Sequence, residues 1–484
     1  FYFSFLFYWI GFVSVIGLVG LVLYLSLYIG VFGLAAAWWL NRKYEIPLRD
    51  KKTANKIKIK KSLSNFLPSA VVLSCLWIIL EYIRSHFPVL GFGWALLGYS
   101  QTSNLFLIQI ARITGAYGVS FIVMVFNVTV FYLVCWLRLF GVSSSEKEDK
   151  NYYKTKFYFS AGLGASLWLV YLSYGLFILN KPINRQDHIV RIGVVQGNIP
   201  QEVKWDDESQ PLIMQKYSLL SQLALVQSPD IIIWPETSVP DYIEEGGWAY
   251  EAVSELARQT KTPFLVGAPY LEKEGKARSG HLFNSAFLFS AQGRLVSRYD
   301  KLCLVPFGEY LPFADKVRFL EKYIKIINEV GDFKPGNEYT LLPVNQKSLG
   351  VLICFEDIFT DLVREFVNKG AEILVNITND AWFKYSPAPY QHMNASVFRA
   401  VENNRSVVRA ANTGISCFID PHGRVYSVLK KSKGVSPDNN KKTRWPGLFI
   451  SGYLVEDVIF TQEKTFYTQH GDIFVLICLI IILF

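Results

Sequence analysis

Apolar residues run almost unbroken from Phe1 to about Leu40, long enough for two membrane passes, with Gly11, Gly17 and Gly20 near the expected break. Gly30, Gly33 and Ala35 to Ala37 are small enough for close helix contacts in lipid. A polar stretch, Asn41 to Lys61, precedes the next pass at Leu67 to about Tyr82. Ala116 to about Leu137 and Phe157 to about Leu179 repeat that length and character, and Ile473 to Phe484 begins a last one. Glu81 and Arg84 are expected to pair at one helix end. The link Phe87 to Arg112, rich in Gly, Pro and aromatics such as Phe92, Trp94 and Tyr99, reads as an interfacial segment on the outer side.

Beyond Lys181 the pattern shortens. Ile189 to Val195 alternates as a strand, and Ile231 to Trp234, Phe264 to Gly267, Ser285 to Phe289, Leu349 to Ile353 and Ile373 to Asn376 supply further strands. Helical spacing appears at Leu212 to Leu225, Ala249 to Gln259, Asp361 to Asn368 and Ala388 to Asn403. Turns such as Ala291 to Gly293 and Pro421 to Gly423 join some of the strands directly. The pattern predicts a polytopic helical membrane bundle over 1–180, an α/β domain over 181–471, and the start of a C-terminal transmembrane helix over 472–484.

Composition sharpens this picture. A hydrophobic fraction of 51% is high for a soluble chain, and the excess sits in the expected spans. The net charge of +9 comes largely from one stretch: Asn41 to Lys61 holds nine Lys/Arg (Arg42, Lys43, Arg49, Lys51, Lys52, Lys56, Lys58, Lys60, Lys61) against Glu45 and Asp50. Between apolar spans such a run is a topology signal and marks a cytoplasmic loop. Lys147, Lys150, Lys154 and Lys156 mark a second. Counting passes from the first loop puts everything after Lys181 outside the cytoplasm. No nucleic-acid motif accompanies the charge, so a nucleic-acid partner is not expected. The α/β domain holds Cys303, Cys354 and Cys417, an odd number, and no metal-ligand spacing appears; neither a metal nor a cofactor is expected. The chain starts with Phe inside an apolar run, and one or two upstream transmembrane helices are expected to precede it.

Three strand ends carry the candidate chemistry. Leu349 to Ile353 reads as a buried strand halted at Cys354, followed by Glu356, Asp357 and an amphipathic helix. A thiol at a strand-to-helix turn lies near the positive end of the helix dipole, which favours the thiolate; a free Cys is equally among the most buried of residues. Asp230 to Trp234 is a β-branched strand stopped by Pro235, with Glu236 just past it, and Lys301 leaves another strand into a Pro/Gly-rich loop. Singly, each is an ordinary strand end. Together they place a nucleophile, a base and a cation at the edge where α/β proteins build sites.

These stretches resemble the nitrilase (carbon–nitrogen hydrolase) superfamily, whose Glu, Lys and Cys match Glu236, Lys301 and Cys354. The resemblance is closer to its membrane-bound branch, the apolipoprotein N-acyltransferases. Val195 to Gln201 followed by Lys204 and Trp205, then Trp234 to Thr237, Val305 to Glu309, Asn376 to Phe383, Gln391 with His392, Arg399 to Asn403 and Arg409 to Ser416 all resemble that branch. The family commonly carries Tyr after the nucleophile, where this chain has Phe355 and no hydroxyl. The resemblance implies a four-layer αββα sandwich and acyl transfer through a thioester. Glu236 would be the proton shuttle, its acidity weakened by burial, and Lys301 would face the oxyanion, a contribution on the order of 3 kcal/mol for one such donor. It also implies supporting roles for Glu309, Glu356 and Trp205. Either carboxylate could instead pair with Lys301 or cap a backbone turn, Trp205 could be core, and His392 reads as a structural hydrogen bonder.

Large apolar residues surround the site: Leu304, Val305, Phe307, Leu311 and Phe313, a helical stripe of Phe319, Leu320, Tyr323, Ile324 and Ile327, and then Trp382, Phe383 and Tyr385. Such a stripe is either core or a membrane-surface lid. Phe307, Trp382 and Phe383 are the candidates to meet lipid. The resemblance implies a phospholipid acyl donor and, as acceptor, the α-amine of a diacylglyceryl-cysteine on an apolipoprotein, at the bacterial inner membrane with the catalytic domain periplasmic. A membrane-anchored amide hydrolase using the same three residues, and a catalytically silent binding module, are the competing readings. The intact set of Glu236, Lys301 and Cys354 argues against the second.

Overall fold

Along Ile231–Ile233 successive side chains go to opposite faces, and both faces are apolar because both are covered. Ile231 and Ile233 pack with Leu265, Leu288 and Val351 between two sheets. Ile232 and Trp234 pack instead with Ile213, Tyr217 and Val253 of two helices, Gln210–Leu225 and Trp248–Thr260. Removing each such side chain from water contributes about 1.5–3 kcal/mol. In the computed structural model, which describes residues 1–41, 68–138, 147–183, 189–273, 280–312, 333–430 and 448–483, this pattern builds a four-layer sandwich. The basic stretch 42–61 and the stripe Phe313, Phe319, Leu320, Tyr323, Ile324 and Ile327 lie outside the described residues.

The strands are β1 (Val190–Gln196), β2 (Ile231–Ile233), β3 (Phe264–Lys273), β4 (Gly280–Phe289), β5 (Leu295–Asp300), β6 (Leu341–Val344), β7 (Lys347–Ile353), β8 (Ile373–Thr378), β9 (Ser406–Ala411), β10 (Cys417–Ile419), β11 (Val425–Val428) and β12 (Gly452–Val458). They form two six-stranded sheets, ordered β12-β1-β2-β3-β4-β5 and β11-β10-β9-β8-β7-β6. Each has a parallel centre, β1-β2-β3 and β7-β8-β9, flanked by antiparallel hairpins. The ends of β2 and β7 therefore open on the same side of their sheets as in other parallel α/β arrangements. The helices Thr360–Asn368 and Ala388–Asn403 belong to the second sheet's half.

Among the described residues, four helices are long and apolar enough to cross a membrane: Val15–Leu40, Ser69–His86, Ala116–Arg138 and Lys150–Asn180. Only 6% of the first one's most apolar window is buried, against 61% for Ser69–His86, so the first faces outward on nearly every side while the second sits inside the bundle. The expectation of two passes before Leu40 is corrected. The break falls at Val13 and Ser14, between Gly11 and Gly17 as expected, but only the short helix Tyr2–Phe7 and the 3-10 turn Tyr8–Phe12 precede it, leaving one span-length helix, Val15–Asn41. Glu81 and Arg84 are both buried, but no contact ion pair joins them: Glu81 Oε1 accepts from the Leu97 backbone N–H at 2.7 Å. The segment from Phe87 to Arg112 folds back onto the catalytic half. Gly93 fits there because a Cβ would come within 2.7 Å of the Ile358 carbonyl oxygen.

Candidate active site

Cys354 follows β7 directly and opens a 3-10 turn, Cys354–Ile358. Its φ of 56° lies in the left-handed region, a strained position for a residue with a Cβ. The strain is held by two donors on its carbonyl oxygen, Asn376 Nδ2 at 2.8 Å and His392 Nε2 at 3.2 Å. Glu356 anchors the same turn. Its carboxylate accepts from the Ile353 N–H (2.7 Å), from the Leu302 and Cys303 N–H groups (2.7 and 3.0 Å), and from the Tyr299 hydroxyl (2.9 Å). Glu356 thus ties the nucleophile's turn to the loop that starts at Lys301. Burial pushes it up to about 7, with the Ile353 and Cys303 N–H groups pulling the other way.

Lys301 leaves β5 fully buried, its Nζ 2.8 Å from Glu309 Oε1 and 3.7 Å from Glu236 Oε1. Asn284 Nδ2 bridges the same two oxygens, at 2.8 Å from Glu236 and 3.0 Å from Glu309. Glu309 is fixed further by the Val305 N–H on Oε2 at 2.8 Å. Burial works against the Lys301 ammonium, but the Glu309 and Glu236 carboxylates outweigh it and hold the group above the ordinary lysine range. Two acids, one cation and one amide form a single buried cluster. The Phe355 ring adjoins it, its centroid 5.5 Å from Lys301 Nζ, within cation–π range.

The thiol itself corrects one expectation. The dense surroundings of Cys354 push its ionisation well above the ordinary thiol range, Glu236 adds to this and Lys301 opposes it. A 3-10 turn of five residues has little dipole to offset that. The thiol is therefore the resting form, and a base is required.

The remaining candidates separate. Trp205 is 39% exposed rather than core, as is Phe307, which stands at φ 62°. Trp382 is half-buried. Phe383 is packed against Trp9 (centroids 4.5 Å apart) and Trp94 (6.0 Å), so it joins the membrane part to the catalytic part. The expectation for His392 matches its place: between Asp357 and Asp380, each at 3.0 Å, with the Trp94 ring tilted against it, centroids 4.9 Å apart. A cavity of about 390 Å³ touches both site loops through Leu302, Cys303, Ile358 and Phe359 and reaches His86 at the end of a membrane helix. Among the described residues, His86, Asp361 and Asp472 are near enough to one another to hold an ion, but His86 and Arg364 already pair with Asp361. Asn284 was missed in the sequence, although an Asn within an apolar strand was a visible signal. Lys204 was seen only as part of a motif, yet it is buried with its Nζ 3.2 Å from the Glu236 carbonyl oxygen.

The family model for the carbon–nitrogen hydrolases matches residues 191–436, and that for the apolipoprotein N-acyltransferase N-terminal domain matches residues 1–129. The chain is 40% identical to an apolipoprotein N-acyltransferase of Geobacter metallireducens over 83% of its own length and 71% of the relative's. It is 29% identical to one from Chlorobaculum tepidum, over 87% of its length and 76% of the relative's. A third, from Allorhizobium ampelinum, is 33% identical over 76% of this chain and 66% of the relative.

Proposed function

This chain belongs to the apolipoprotein N-acyltransferases, and from that membership we propose that it acylates lipoproteins through a thioester on Cys354, with Glu236 as base and Lys301 as the oxyanion's partner. The activity itself, lipoprotein N-acylation by a membrane enzyme, is the family's. The observation that carries the residue roles is the buried cluster in which Lys301 Nζ lies within 4 Å of both Glu236 and Glu309, one strand end from a strained Cys354.

In the first half-reaction Glu236 takes the thiol proton and the Cys354 sulfur attacks a phospholipid ester carbonyl. The tetrahedral oxyanion is stabilised by Lys301, and the lysophospholipid alcohol leaves with the proton from Glu236. In the second, the α-amine of a diacylglyceryl-cysteine attacks the thioester, Glu236 accepts its proton, and the Cys354 sulfur leaves and is reprotonated. Glu309 holds Lys301 in place, and Glu356 holds the two loops together. Exposed Phe307 and Trp205 are suited to meet acyl chains. Three span-length helices separate the basic stretch from the catalytic domain, which supports a domain on the periplasmic face of a bacterial inner membrane.

The test is mass spectrometry of the purified chain after incubation with phospholipid, with alkylation of Cys354 by iodoacetamide as the lipid-independent control. Wild type should carry an acyl adduct on Cys354, and Cys354→Ala none. Phe307→Ala should lose most of the lipid adduct while alkylating normally. An adduct that survives Cys354→Ala and vanishes in Cys303→Ala rejects the assignment. A thioester that water discharges as fast as a diacylglyceryl-cysteine peptide makes the enzyme a hydrolase.

A further inference from the structure

One buried cation beside the site is left unused by the steps above. Lys204 ends the 3-10 turn Gln201–Val203, a stretch pinned to the second sheet's loops. There the Ile199 N–H donates to Asn412 Oδ1 (2.9 Å) and Asn379 Nδ2 donates to Gln201 Oε1 (2.9 Å). With the backbone held there, the Lys204 side chain runs inward and is 1% exposed. Its Nζ donates to the main-chain oxygen of Glu236 at 3.2 Å and to Thr237 Oγ1 at shorter range. Among the described residues no carboxylate oxygen lies within 4.0 Å of it. A buried ammonium with only neutral partners is costly unless charge nearby offsets it.

Thr237, β-branched, stands at φ 46°, where a side chain is strained, and the bond from Lys204 restrains its hydroxyl. On the opposite flank a Cβ at Gly267 would come within 2.5 Å of the Pro235 oxygen and 2.7 Å of Glu236 Cα. The turn that carries Glu236 is thus clamped between Gly267 and Lys204. Burial pulls Lys204 down to about 8, with Glu236 and then Cys354 acting against it.

We propose that Lys204 is a positioning residue of the acyl-transfer site, fixing the turn that aims Glu236. The inference rests on the Glu236–Lys301–Cys354 reading.

The experiment uses the full chain in detergent and follows the kcat and KM of acyl transfer from phospholipid to a diacylglyceryl-cysteine peptide, beside Cys354 alkylation by iodoacetamide. Lys204→Met should lower kcat about tenfold or more with KM for phospholipid unchanged. Thr237→Val, which removes the acceptor, should lower kcat about tenfold, and Thr237→Ser, which keeps it, should restore wild-type kcat. Wild-type kcat in Thr237→Val, or a loss in Thr237→Ser as large as in Thr237→Val, overturns the positioning role. Where Lys204→Met fails to accumulate as folded protein, Thr237→Val alone decides. Wild-type alkylation at a site other than Cys354 would instead overturn the three-residue reading itself.

Discussion

At the scale of single residues, the site works by sharing. Glu236 and Glu309 stand close enough to share the ammonium of Lys301 and the amide of Asn284, and each of these donors lowers the repulsion between the two carboxylates. Lys301 can serve both only because Glu309 is held from the far side by the Val305 N–H. Asn284 has no charge to lose, so its removal tests the sharing without changing the charge of the site. Asn284→Ala should leave two buried carboxylate oxygens short of a donor, at about 1–3 kcal/mol, and lower acyl transfer about tenfold to hundredfold. Asn284→Asp should be worse, since it adds a third acid. Turnover of Asn284→Ala within about twofold of wild type would show that Lys301 alone organises the pair.

At the scale of elements, the strand ends were legible and the charged interior was not. Ile231 to Trp234 and Leu349 to Ile353 announce themselves by β-branched apolar runs, and Pro235 and Cys354 stop them where the structure does. The helix Ala388–Asn403 was legible as a helix too, but its inner face carries His392, Ser396 and Arg399 at intervals of four and three, a buried polar stripe. Periodicity reads such a stripe as solvent-facing. What buries it is charge: Asp357 on His392 and Arg409 on Asp357 at 2.9 Å, both from distant parts of the chain, Asp380 on His392 from nearer by, and Glu402 on Arg399 at 2.6 Å within the same helix. The two pairings of Asp357 span tens of residues and leave no local signature. The network has a pH signature instead. Burial lowers the affinity of His392 for its proton, but Asp357 and Asp380 prevail over burial and over Arg409 and raise it to about 9, against about 6.5 in an unfolded chain. A raised histidine stabilises the fold fully below the unfolded value and loses that contribution as pH rises through about 9. Thermal unfolding in detergent should therefore decline between pH 7 and 10, by an amount on the order of 3 kcal/mol, and His392→Gln should flatten the decline while lowering stability at pH 7. An identical slope in the variant would place the proton elsewhere.

At the scale of the whole molecule, the membrane helices and the α/β sandwich share one apolar core. Phe7, Trp9, Ile78, Trp94 and Ile108 belong to the same buried cluster as Val351, Ile353 and Phe398. Polar ties reinforce it. Glu402, paired with Arg399, caps the span Ala116–Arg138 by accepting from the Ala116 N–H at 2.8 Å, a contact suited to the helix's positive end. Trp9 and Trp94 both donate to Gln391, next to the histidine that holds the Cys354 carbonyl. With the sandwich docked so closely on one end of the bundle, the side of the membrane that end faces decides which substrates reach Cys354. The proposed topology counts three span-length helices, among the described residues, between the basic stretch 42–61 and Val190, and so predicts a sandwich on the side opposite that stretch. Lys and Arg select the cytoplasm. In a background with Cys135, Cys303 and Cys354 replaced by alanine, a membrane-impermeant maleimide applied to intact spheroplasts should label Glu245→Cys, on an exposed loop of the sandwich, at once. It should reach Lys52→Cys only after the membrane is permeabilised. Labelling of both before permeabilisation would break the span count, and the reverse pattern would put the site on the cytoplasmic face, away from any acceptor that has already been exported.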